Sequence, residues 1–251
     1  MTLPIDPTLA IALGLLLGAI VGSFLATVIR RAEHDESALK GRSACEACGR
    51  KLEILELIPV LSHLVQRGRC RGCSARISRE HLAVELAALA IGGGAMALFP
   101  DLRGATLALT GWLLLGLGWL DVRYRWLPDS MTAAVAILGI IAAEGITFVP
   151  LADRLLGGAI GFAVLAFIRS AYARAKGHEG MGAGDPKLMG AIGLWTGWAG
   201  LAPVLLVGSS GLVALAVLTG RHREEGYEYP LGSGLAAAGA VMMILLAVRA
   251  A

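Results

Sequence analysis

Several long apolar stretches, most of about 18 to 22 residues and nearly free of charge, constrain this chain more than any other feature. Runs of that length cover a hydrocarbon core of roughly 30 Å at 1.5 Å per residue, and a bilayer admits them only as helices that satisfy their own backbone polar groups. They fall near 8–29, 82–100, 104–121, 130–147, 151–171, 187–198, 200–219 and 232–248, the sixth being short enough for a half-helix or re-entrant segment. Composition agrees. With 56% hydrophobic and 16% charged residues and a mean hydropathy of +0.70, the chain is too apolar for a soluble domain. The expected fold class is an all-α polytopic membrane protein of about eight transmembrane segments, with a small loop domain between the first two.

Charge placement sets an expected orientation. The first apolar run has no basic region before it and no small-residue cleavage site after it, while Arg30 and Arg31 follow it, which fits a retained first helix. Nineteen of the twenty-two lysines and arginines fall in 30–81, 122–129, 169–187 and 220–230, on one side of the expected topology. Only Arg103, Arg154 and Arg249 fall on the other. By the positive-inside rule the first group is cytoplasmic and both termini are outside. The net charge of +3 then reflects topology and calls for no nucleic-acid partner. The domain reading is a first transmembrane helix over 1–31, a cysteine loop over 32–80 and a membrane domain over 81–251.

All four cysteines lie in that loop, as "CEAC" (Cys45, Cys48) and "CRGC" (Cys70, Cys73), with 21 residues between the pairs. Two C-x-x-C knuckles suit a tetrahedral Zn²⁺ held by four thiolates, and a reducing cytoplasm disfavours the alternative of two disulfides. Four cysteines leave no open coordination position, so the metal is expected to be structural. A loop of about 50 residues has too little core to fold dependably alone.

Ionisable residues within apolar runs are scarce, which singles out Asp121, closing "GWLLLGLGWLD", and Asp185, opening "DPKLMGAIGLW". Asp185 before Pro186 also reads as a helix N-cap, and Asp121 as a solvated boundary residue beside Arg123 and Arg125. Asp129, after Pro128, reads as a plain N-cap. What favours function is that Asp121 and Asp185 fall at the same depth on different helices. Two close carboxylates do not both ionise cheaply, and a pair sharing a proton has the acid and the base needed to activate water and protonate a departing amide nitrogen. Gly182 and Gly184 are expected to take backbone conformations closed to other residues and to let an extended substrate approach Asp185. Lys187 reads either as a supporting charge or as a snorkelling helix-end lysine.

"GMGAGDPKL" resembles the G-x-G-D motif of membrane aspartyl proteases, and in detail that of the prepilin peptidases. "GAIVGSFLATVIRR" resembles that family's first helix, "ELIPVLSHLVQRGRCRGCSARIS" its cysteine loop, "DVRYRWLPD" its first aspartate motif and "YPLGSGLAAAG" its last-helix entry. The resemblance implies a catalytic pair of Asp121 and Asp185. It implies cleavage of a basic leader from membrane-inserted pilin or pseudopilin precursors after a glycine, at the cytoplasmic face of the bacterial inner membrane. It further implies S-adenosylmethionine-dependent methylation of the new N-terminus. The chain departs from the family at Leu57, His63 and Ser233, which bears on the methyltransferase half. His63 reads as an interfacial histidine. Glu179, Glu53 and Glu56 are weak candidate partners for leader charge. Two alternatives are a peptidase without methyltransferase activity and a transporter relaying protons through the acidic pair, which predicts acids deep in the membrane.

Overall fold

The computed structural model describes residues 6–32, 43–223 and 229–250; part of the expected cysteine loop, 33–42, lies outside them. Among the described residues every regular element is helical: α1 (Pro7–Ala32), α2 (Leu61–Val65), α3 (Arg79–Leu98), α4 (Leu102–Tyr124), α5 (Asp129–Ile141), α6 (Glu144–Thr147), α7 (Leu151–Lys176), α8 (Gly184–Thr196), α9 (Leu201–Leu218) and α10 (Leu231–Arg249). The chain forms two compact units, Met1–Ala108 and Leu109–Ala251, with the division inside α4.

Six of these helices, α1, α3, α4, α7, α9 and α10, are long and apolar enough to cross a membrane. Eight were expected, and the difference lies at the fourth and sixth stretches. The fourth divides into the 13-residue α5 and the one-turn α6. The buried Arg154 of α7 explains how: its guanidinium donates to Gly139 O at 2.6 Å, to Ile140 O at 3.3 Å and to Glu144 at 2.9 Å. Those carbonyls lie in the last turn of α5, where a helix end has no partners of its own, so the break is satisfied by protein instead of water. The sixth stretch is α8, also 13 residues.

In the first unit α1 packs along α3. Gly14, Gly18 and Gly22, spaced four apart on one face of α1, bring the two backbones together; a Cβ at Gly18 would meet Leu89 Cα at 2.8 Å and one at Gly22 would meet Glu85 Cα at 2.8 Å. Small residues at this spacing are how helices associate in lipid, where apolar burial alone gives no net attraction.

The second unit is built around α8, most of whose residues are buried. Gly193 sits against Gly157 of α7 backbone to backbone, and Gly161 against Met189, where a Cβ would meet the carbonyl at 2.8 Å. On another side the wholly buried Trp195 donates its indole N–H to Val135 O of α5 at 2.9 Å, and Ile192 packs on Gly239 of α10. A helix too short to span a bilayer is thus packed among α5, α7 and α10, the last two longer than itself. Replacing Gly193→Val should force α7 and α8 apart and lower stability by at least about 1–3 kcal/mol, read as a lower unfolding temperature in detergent; an unchanged temperature would contradict this packing.

Candidate active site and metal centre

Three helix ends meet at one level of the second unit: the C-terminal turn of α4, the first turn of α8 and the first turn of α10. Asp121 lies three residues before the end of α4 and Asp185 one residue into α8, and each is only 5% exposed. The end of α4 is closed by Arg125, which takes a positive φ of 53° and donates to Asp121 O at 3.0 Å and Val122 O at 2.7 Å. The chain then turns through Leu127, which is buried against Gly184 on one side and Gly232 on the other; a Cβ would meet its side chain at 2.7 and 2.8 Å respectively.

The carboxylates converge on the start of α10. Its N-cap, Pro230, makes no side-chain cap bond, leaving the first N–H groups for other partners. Ser233 N–H donates to Asp121 Oδ2 at 2.7 Å, and the neighbouring Gly232 N–H interacts with Asp185. Adjacent N–H groups of one helical turn therefore hold one aspartate each, from two other helices. At Gly232 a Cβ would stand 3.1 Å from the Asp121 carboxylate, so the site has no room for a side chain there.

The segment entering α8 is pinned to α7. Arg169 donates through Nε to Met181 O at 3.1 Å and through Nη2 to Glu179 at 2.5 Å. Gly180 lies on the Tyr172 ring, and Tyr172 meets His178 edge to face. The peptide unit whose carbonyl Arg169 grips carries the Gly182 N–H, which interacts with Asp185.

Several expectations change here. Asp185 is not the N-cap of α8; that position is Ala183. Neither Gly182 nor Gly184 has a positive φ among the described residues. Both supply space: Gly184 for Leu127, and Gly182 for Asp185, whose Oδ2 is 3.3 Å from where its Cβ would be. Asp129 is in the first turn of α5, whose N-cap is Pro128, and pairs with Lys187 at 2.7 Å. Lys187 is therefore neither a snorkelling side chain nor turned to the pair; it ties the end of the Asp121 motif to α8, an exposed bridge worth about 0–1 kcal/mol. Glu179 is engaged by Arg169, and Glu56 is buried against Arg50 at 2.5 Å.

In the first unit Cys45, Cys48, Cys70 and Cys73 place their sulfurs within 4.8 Å of one another. All four are free thiols. The knuckles share one geometry. Cys45 N–H bonds Arg50 O and Gly49 N–H bonds Cys45 O, while Cys70 N–H bonds Ala75 O and Ser74 N–H bonds Cys70 O, at 2.8 to 2.9 Å. Gly49 and Ser74 occupy the equivalent left-handed turn, at φ +70° and +59°. Cys45 and Cys73 sulfurs are 3.8 Å apart, about the edge of a tetrahedron with metal–sulfur bonds of about 2.3 Å. Backbone N–H groups of Cys73 and Gly72 push the Cys70 thiol down to about 6. At Cys73 the Ala75 N–H is outweighed by the neighbouring sulfurs and burial, which push that thiol up to about 11, so the first thiolate of the cluster forms at Cys70. The four sulfurs fit a metal ion. His63 is outside the cluster and lies over Gly68.

Sequence reasoning singled out the two aspartates and the four cysteines, which the structure gathers into two clusters, but not the N–H groups of Gly232 and Ser233, the Leu127 wedge or Arg169. Proline before glycine in "YPLGSG" was a readable helix-start signal; nothing local marks Arg169.

Residues 16–99 match the bacterial peptidase A24 N-terminal domain and residues 107–218 the type IV leader peptidase family. A prepilin leader peptidase/N-methyltransferase of Burkholderia pseudomallei strain 1026b is 35% identical, over 93% of this chain and 84% of that protein. Proteins of the same name from Aeromonas salmonicida strain A449 and Pseudomonas aeruginosa are 33% and 32% identical, over 95% and 92% of this chain and 91% and 88% of theirs. No solved structure matches the chain at a significant level. With two aspartates on one helix start, a four-cysteine cluster and relatives matched along nearly its whole length, this chain is an integral membrane protein of the type IV leader peptidase family.

Proposed function

We propose that this protein is a membrane aspartyl endopeptidase that removes the leader from type IV prepilins or type II secretion pseudopilins after a glycine, in the inner membrane and at its cytoplasmic face. The observation that carries the reading is the pair of buried carboxylates, Asp121 and Asp185, held side by side on adjacent N–H groups of α10. Helix capping alone explains one acid at a helix start; it does not explain two, brought from separate helices and buried together.

In this reading the two carboxylates share one proton and hold a water between them. The ionised member takes a proton from that water as its oxygen attacks the scissile carbonyl carbon. The protonated member gives its proton to the carbonyl oxygen, forming a tetrahedral diol with no covalent bond to the enzyme. Collapse of the diol breaks the C–N bond: the proton taken from water passes to the leaving nitrogen, while one diol hydroxyl returns its proton to the carboxylate that had given one, which forms the carboxyl product and restores the singly protonated pair. No nucleotide is consumed. The transporter alternative has less support, because its relay would run through Asp121 and Asp185 and both lie at helix ends.

N-methylation of the new N-terminus, with S-adenosylmethionine as donor, is the second half of the proposal and rests on the names of the relatives and the family resemblance. The four thiolates of Cys45, Cys48, Cys70 and Cys73 would hold Zn²⁺, which would cross-link the two knuckles and take no part in peptide hydrolysis. Of the acids considered for leader recognition, Glu53 and Glu179 are exposed, the first 3.9 Å from Arg50 and the second paired with Arg169.

Asp121→Asn and Asp185→Asn should each lower precursor cleavage in detergent by at least about 10²–10⁴-fold; turnover retained by either variant removes that residue from the pair. The same assay with wild-type protein and S-adenosylmethionine should release product heavier by one methylene, and a product without that gain leaves a peptidase alone. Because Arg169 orients the peptide next to Asp185, Arg169→Ala should lower kcat by about 10- to 100-fold with little change in KM. Arg169→Lys should not restore it, since one ammonium does not reproduce the two-armed grip. Removal of metal by a chelator should make residues 43–78 protease-sensitive and leave the Asp121–Asp185 unit folded; unchanged resistance would count against zinc.

A further inference from the structure

Residues 53–65 of the cysteine loop are arranged inside out. Glu56 is buried, only 6% exposed, and its carboxylate is taken up by Arg50 and by the Glu53 backbone N–H. Its apolar neighbours face outward: Ile54 is 83% exposed, Leu61 59%, Leu64 60% and Val65 70%. An aqueous loop has no reason to bury the acid and expose the aliphatics, whereas a loop resting in an apolar medium does.

The depth of this segment is fixed from within the same unit. Val60 stands between the 3-10 turn Ile54–Leu57 and α2, with a φ of +63° that is strained for a β-branched residue. Its N–H donates to Glu85 at 2.8 Å, and Glu85 is buried and also pairs with His81 at 3.2 Å. Glu85 lies six residues into α3, so Val60 is tied about 9 Å below the end of a helix long enough to span a membrane. The apolar run of this helix starts near residue 82, so the tie lies about 4.5 Å inside it, at the boundary between headgroups and acyl chains. Arg67, Arg69, Arg71 and Arg76, all exposed, follow directly. Apolar side chains beside a basic cluster match the two components of an anionic bilayer surface, acyl chain and phosphate.

We propose that residues Ile54–Val65 are an interfacial anchor, with their aliphatic side chains in the headgroup and upper acyl region of an anionic membrane and the following arginines on its phosphates. Glu85 sets the anchor's depth by holding Val60, and the anchor keeps the four-cysteine knuckles at the membrane surface. A cytoplasmic zinc loop reached only through its two helices would have no need of such a face.

The test places the photo-cross-linker benzoylphenylalanine at Leu55 or Leu64, with exposed Ala47 in the first knuckle as the control position, in the full-length metal-loaded protein. Each form is reconstituted in bilayers of phosphatidylcholine alone or mixed with phosphatidylglycerol, irradiated and analysed by mass spectrometry. The expected result is lipid adducts at Leu55 and Leu64, several-fold more than at Ala47 and more in the anionic bilayer. Adducts formed instead with another part of this chain, or with added precursor, would overturn the proposal and assign the face to a protein partner. Lipid yields at Leu55 and Leu64 no higher than at Ala47 would overturn it as well, and equal yields in the two bilayers would overturn the role given to the arginines.

Discussion

A helix buried among other helices must do something with the N–H groups of its first turn, and in this protein α10 begins at a proline that offers no side-chain cap. The aspartates of α4 and α8 answer that need: Asp121 accepts from Ser233 N–H and Asp185 interacts with Gly232 N–H. Much of the second unit depends on this convergence. It requires the end of α4 and the starts of α8 and α10 to share one level, a glycine at 232 so that nothing separates the acids, and Leu127 to fill the gap between the two glycine-bearing segments. A helix start also supplies partial positive charge, which lowers the cost of holding negative charge away from water.

The same economy of backbone contact explains the short helix. α8 carries Asp185, and at 13 residues it does not span a bilayer. Backbone contact with α7 through Gly157 and Gly193, and the Trp195 bond to α5, let it end inside protein. Ending there puts its first turn where the acids meet, while Arg154 gives α5 a satisfied C-terminus in the same way. Short helices whose ends are satisfied by protein allow a polar site to be built in a chain that is otherwise apolar.

The first unit solves a different problem. Its loop has too little apolar core to hold a shape, and two knuckles of one geometry bring four thiols together instead. The pair of half-buried Arg50 and buried Glu56 links this cluster to the segment that follows, since Arg50 lies against Gly72 in the second knuckle and Glu56 in the outward-facing turn. Val60 and Glu85 then join that segment to α3. Cysteine cluster, loop and membrane helix thus form one continuous set of contacts.

Much of this is legible in the order of the amino acids. The apolar runs dictate helices because lipid offers the backbone no partners, the paired C-x-x-C spacing dictates a four-sulfur cluster, and the scarcity of acids in apolar surroundings points to Asp121 and Asp185. Local sequence does not say that Asp129 turns to Lys187, that Gly184 makes room for Leu127, or that Arg169 holds Met181, because each partner lies on another element or connecting segment. Nor does it say that the fourth apolar stretch breaks, since hydropathy does not register a cap supplied by Arg154. The sequence by itself determined which segments are apolar helices and which side chains are chemically fit for an acid pair or a sulfur cluster, because those follow from transfer free energy and side-chain type. The tertiary structure alone decided which N–H meets which carboxylate, because that is set by where three helix ends come to rest.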